Sequence, residues 1–339
     1  MSRRSQAPFR AYFPSSSSSS ETSGCHIIYT SAPAPSRCAA ANRRSATKFL
    51  HYYYVGFTVL VQPSDFEALA SAYLRRAASD GVRHAELFFD PQPHLARGAS
   101  LAAIVPAFQA AQQRARAELG ITSLLTPCLL RHLPVADGHA AFRALRDGGY
   151  YASGALAGLG LCSTELDRPP ADWAPIFAEA AAAGIRRTVH AGEEGPAAYV
   201  TAALDELGAQ RIDHGVNSAQ DPAVVERLAR DGVLLTVCPL SNVRLGGFPS
   251  VAEVPIPLFL EKGVRFSINS DDPAYFGGYL LDNYCAVQEA FGLGVEVWEG
   301  IVRNALEGSW CDEGRKKEIR GEIESVFADW RADKGLNTA

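Results

Sequence analysis

No apolar run in this 339-residue chain approaches the roughly 20 residues a helix needs to cross a bilayer, so no membrane partner is expected. No GxGxxG occurs, and no GxxxxGK followed by Ser or Thr, which removes the two common glycine-rich phosphate cradles. Cysteines are scattered (Cys25, Cys38, Cys128, Cys162, Cys238, Cys285, Cys311), odd in number and never spaced as CxxC. That pattern fits a reducing compartment, with Cys acting as a small core residue, and gives no reason to expect a Cys-based zinc site. With a formal net charge of −5 and no basic stripe or aromatic platform, nucleic acid is excluded as the main partner. The expected location is the cytoplasm, with the nucleus also open to it.

What is present divides at about residue 47. Residues 1–47 hold the serine run Ser15–Ser20, many Arg, several Pro and the single acidic residue Glu21, and cannot bury enough apolar surface to offset their ordering entropy. They read as a low-complexity extension; a mitochondrial transit peptide and a displaced start of the reading frame are the alternatives. Residues 48–339 read as one folded domain, and a hydrophobic content of 47% can fill its core. Tyr52 to Val61 reads as a strand or as part of a buried helix. Pro63 opens a helix with Ser64 and Glu67 as its capping box. Leu101 to Leu119 is a long helix closed by Gly120, which Pro106 bends or starts.

From Val82 onward, short apolar β-branched runs alternate with helices: 82–89, 121–130, 156–162, 185–190, 211–214, 233–238 and 264–269. Seven βα units in one series predict a parallel sheet closed into a (β/α)8 TIM-type barrel rather than a doubly wound sheet, with one strand missing from the count. Several of these strands end in chemistry. His190 closes one, with Glu193 on the loop entering the next helix. His214 closes another, and Asp271 and Asp272 follow a third. In such folds that edge is where ligands bind. His190, His214 and Asp271 are donors of the kind that hold zinc. Glu193 is placed to act as a general acid, while Glu194 suits the helix dipole. Of Asp271 and Asp272, one can meet a metal and the other a substrate, unless Asp272 simply caps the helix that begins at Pro273.

The segments His190-Ala-Gly-Glu193, Asp213-His214-Gly-Val, Thr236-Val-Cys-Pro-Leu-Ser-Asn242 and Asn269-Ser-Asp-Asp-Pro273 resemble the adenosine/adenine deaminase family of metal-dependent barrels. Phe88-Phe-Asp-Pro-Gln92, Arg131-His-Leu-Pro134 and Ser270-Asp-Asp-Pro-Ala-Tyr-Phe-Gly-Gly-Tyr279 draw the likeness toward the adenine deaminase branch. The likeness runs colinearly over about residues 48 to 335. It implies zinc-dependent hydrolysis of adenine to hypoxanthine and ammonia, with a small purine as partner. It also implies roles: His190 and Asp271 as zinc ligands, Glu193 as proton donor to the ring nitrogen, His214 as the base that activates water, and Asp272 as acceptor for the imidazole-ring nitrogen. Adenosine as substrate, and a barrel that binds purine or a partner without turnover, are the alternatives.

One element of that pattern is absent. The family draws two more zinc ligands from a His-x-His on its first barrel strand, and no two of the eight histidines here stand two apart. The missing strand and the missing ligands are therefore expected to be one loss, with a single zinc ion held weakly.

Overall fold

The computed structural model describes residues 46–333; the low-complexity extension lies almost wholly outside them. Seven strands follow in chain order: β1 His84–Phe89, β2 Thr122–Leu130, β3 Gly158–Cys162, β4 Arg186–Ala191, β5 Arg211–His214, β6 Leu234–Val237 and β7 Phe266–Ile268. All pairings are parallel and each strand lies beside its sequence neighbours, in the order β1 to β7. An unreversed order is the barrel's signature and excludes a doubly wound sheet. Among the described residues no ladder joins β7 to β1. The fold is a TIM-type (β/α)8 barrel lacking one strand, as the sequence leads one to expect.

Burial on both faces makes the strands largely apolar. Leu159, Leu161, Val189, Ile212, Leu235 and Val237 belong to one buried apolar cluster with Phe177, Val200 and Phe259 from the surrounding helices. A second cluster sets Phe66, Ile104 and Phe108, from helices Pro63–Ser79 and Leu101–Leu119, against Leu125 of β2. Facing residues 188, 190, 211 and 213 are polar, so β4 and β5 line the barrel's interior with side chains that carry chemistry.

Three local expectations need correction. Of the two readings of Tyr52 to Val61, the helix holds as far as Phe57, in Ala46–Phe57, and the strand does not, while Tyr52 and Val55 are exposed rather than buried. The helix Pro63–Ser79 is capped by Gln62 and Asp65, because Asp65 accepts the Gln62 N–H at 2.7 Å; Ser64 and Glu67 are not the box. Pro106 lies inside Leu101–Leu119 and so does not mark its start. As the sixth residue it costs only one early-turn hydrogen bond. A further helix, Val135–Asp147, follows Pro134 and buries Ala141, Phe142 and Leu145. Its apolar residues are spaced by three and four, a signal that was open to reading.

Candidate active site

The register sets the site. Ala191 pairs with His214, so β4 and β5 end level, and His190 lies opposite Asp213. Alternation alone would turn His214 away from the face that Arg211 and Asp213 share. His214 instead has φ of 63°, and Asp271 has φ of 54°. Each is a left-handed backbone on a residue with a Cβ, strained by about 1–2 kcal/mol. These kinks bring both side chains into the mouth formed by the carboxyl ends of the strands.

There His214 Nε2 lies 3.5 Å from Glu193 Oε2 and 3.7 Å from Asp271 Oδ2. The His190 and His214 rings are 5.1 Å apart between centroids. Ser241 donates to Asp271 Oδ2 at 2.5 Å, and Asn242 meets His214 Nδ1 at 3.3 Å. The structure thus brings His190, Glu193, His214 and Asp271 to one place, with Asp272 next in the chain and within electrostatic range of Glu193. Burial, and then the charge of Asp271, holds the Glu193 carboxyl well above the usual carboxylate range. The same two causes in the same order raise Asp272. Both carboxyls therefore hold a proton more tightly than an exposed carboxyl does. Asp90, at the end of β1, is also pushed up, to about 6, by burial.

Asp213 has the opposite environment. Burial alone would raise its carboxyl, but His190, Arg211 and the Thr188 hydroxyl outweigh that and hold it near 2. It accepts from Thr188 Oγ1 at 2.7 Å and Thr236 Oγ1 at 3.0 Å. Its Oδ2 stands 3.3 Å from His190 Nδ1, within ion-pair range but not aligned as a hydrogen bond. A carboxylate behind Nδ1 favours the tautomer that leaves Nε2 as the free lone pair.

His214, Cys238 and Asp271 offer one donor atom each, all within 4.8 Å of one another, and form the one candidate cation group found among the described residues. Imidazole, thiol and carboxylate are ligand types that zinc accepts, so this chain's donors fit such an ion. CxxC spacing gave no warning of Cys238, because the fold and not the chain brings it near. Asp213, Glu165, Ser241 and Asp90 also escaped the sequence reading of the site, since their partners lie on other strands and loops.

A parallel barrel with His and carboxylate groups converging at its carboxyl edge defines a metal-dependent hydrolase class. The family model described as adenosine deaminase matches residues 30–326. The adenine deaminase of Gibberella zeae is 50% identical over 287 residues, covering 85% of this chain and 81% of that protein. The adenine deaminase crystal structure from Arthrobacter aurescens superposes with a TM-score of 0.79 at 39% identity, over 83% of this chain and 85% of that one. An amidohydrolase from Burkholderia ambifaria, solved with bound Zn, gives a TM-score of 0.74 at 28% identity, over 80% of this chain and 75% of that one. The chain belongs to the adenosine deaminase family.

Proposed function

We propose that this chain hydrolyses adenine to hypoxanthine and ammonia. The observation that carries the reading is the buried Glu193 carboxyl 3.5 Å from His214 Nε2, an acid and a base side by side in the mouth of the barrel, with burial raising the acid's hold on its proton. A neutral carboxylic acid can give its proton to a purine ring nitrogen as charge develops there. His214 takes a proton from the attacking water, steadied at Nδ1 by Asn242. Asp272 faces the imidazole edge of the base, and Asp213 fixes His190. His190 and Asp271 would hold a zinc ion; the donors grouped with Asp271 in the structure are those of His214 and Cys238. What such an ion supplies when bound is a water pKa lowered from 15.7 to about 7.

Catalytic zinc sites commonly keep three protein ligands. Without a His-x-His, this site is expected to release its ion readily. Gel filtration in metal-free buffer should strip the protein, and added zinc should restore ammonia release from adenine, faster than from adenosine. Restoration with adenosine alone would move the reading to the nucleoside. No restoration with either, while purine still binds, favours the second reading, a purine-binding barrel without turnover, which the missing ligand pair supports.

A further inference from the structure

Glu165 lies in the loop after β3, only 1% exposed and outside every motif discussed so far. Its Oε1 accepts the N–H of Glu193 at 3.1 Å, and its Oε2 accepts those of Gly192 at 2.9 Å and Gly195 at 3.0 Å. In return Glu194 Oε2 accepts the Glu165 N–H at 3.1 Å. One buried carboxylate thus binds three of the four amides of the turn that presents Glu193.

The approach is close and local geometry makes room for it. A Cβ at Gly195 would stand 2.5 Å from both Glu165 Oε2 and the Tyr199 ring, so only glycine leaves the carboxylate and the ring their places. The loop that delivers Glu165 carries two left-handed residues, Ser163 and Asp167, with φ of 77° and 55°. The turn is held from its other end as well. Arg131, buried and within electrostatic range of Glu165, donates to the His190 carbonyl and, at 3.1 Å, to that of Arg168.

We infer that Glu165 is a positioning residue for catalysis: it fixes residues 192–195 so that Glu193 meets the substrate at one place. This rests on the reading of Glu193 as the acid. Gly192 and Gly195 have no side chains to anchor the turn, so its rigidity is borrowed from the loops on either side: Glu165 takes its amides, and Asn217 Nδ2 donates to the Glu193 and Gly195 carbonyls at 3.1 and 2.9 Å. A displacement of an ångström in a reacting group can cost on the order of a hundredfold in rate.

The test is Glu165→Gln, which keeps the size but turns an NH2 toward amides that need an acceptor. A second variant, Gly195→Ala, pushes the carboxylate aside without changing its charge. Both should lower kcat on adenine by roughly 10- to 100-fold with KM within about twofold. Amide hydrogen exchange should quicken at 192–195 while β4 and β5 stay protected. An unchanged kcat, unchanged exchange at 192–195, or loosening of the strands together with a raised KM would each overturn the proposal. If the zinc-loaded parent releases no ammonia, the deaminase reading fails, and the exchange experiment alone decides the role of Glu165: quickening confined to 192–195 supports it, and any other pattern overturns it.

Discussion

Four neighbours converge on Asp213: Thr188 and Thr236 as donors, His190 at 3.3 Å and Arg211 at 3.8 Å. A carboxylate behind a metal-binding imidazole raises its basicity and fixes its ring, and losing one commonly costs 10- to 100-fold in metal affinity. Asp213→Asn should weaken zinc binding by about that factor, measured by competition with a chelating dye. Unchanged affinity would mean that His190 is not a ligand. At this scale the sequence pointed to residues that the structure brings together. His190, Glu193, His214, Asp271 and Asp272 all sit at strand ends, where residue type and position speak together. Asp213 and Glu165 act through other residues. Their parts depend on register and loop packing, which no single stretch of chain encodes.

Among the elements, those bounded by strong end signals were the legible ones. In the sequence, Asp221 followed by Pro222 is an N-cap with Pro at the first helical position, and Gly232 suits a helix end. The helix spans Pro222–Asp231, with Asp221 accepting the Ala223 N–H at 2.9 Å and Gly232 left-handed at φ 64°. Because that cap is exposed and its side chain bonds its own helix's Ala223 N–H, Asp221→Ala should cost about 1 kcal/mol of stability and leave kcat and KM alone. Thermal unfolding paired with steady-state kinetics checks both halves. Elements lacking such punctuation were harder. Residues 46–57 are aromatic and β-branched enough to suit either a strand or a helix. What decides is a tertiary contact, the packing of Phe49, Tyr53 and Phe57 on one another and on Tyr275 and Phe276. Local composition does not contain it.

For the molecule as a whole, the question is what ties β1 to the rest when no ladder joins it to β7. At the opposite end of the barrel from the site, Glu86 of β1 bonds Arg211 of β5 at 2.6 Å and accepts the Trp310 N–H at 2.5 Å. The Arg211 guanidinium lies 4.1 Å over the Trp310 ring. Side chains here span the barrel floor and reach the C-terminal helices. Burial would raise the Glu86 carboxyl, but Arg211, His84 and the Trp310 amide outweigh it and bring it down to about 2. A depressed carboxylate contributes stability above its unfolded pKa, near 4.5, and loses it as pH falls through the folded value. The shift corresponds to about 3 kcal/mol, an amount similar to what breaking a buried ion pair costs. Glu86→Gln should therefore lower the unfolding free energy by about 3 kcal/mol at pH 7. Urea titrations at successive pH values should show the two proteins converging between pH 4.5 and 2, as the parent's own carboxylate takes up its proton. A gap that stayed constant with pH would assign the loss to packing, and closure of the open barrel would then rest on its apolar contacts instead of this bridge.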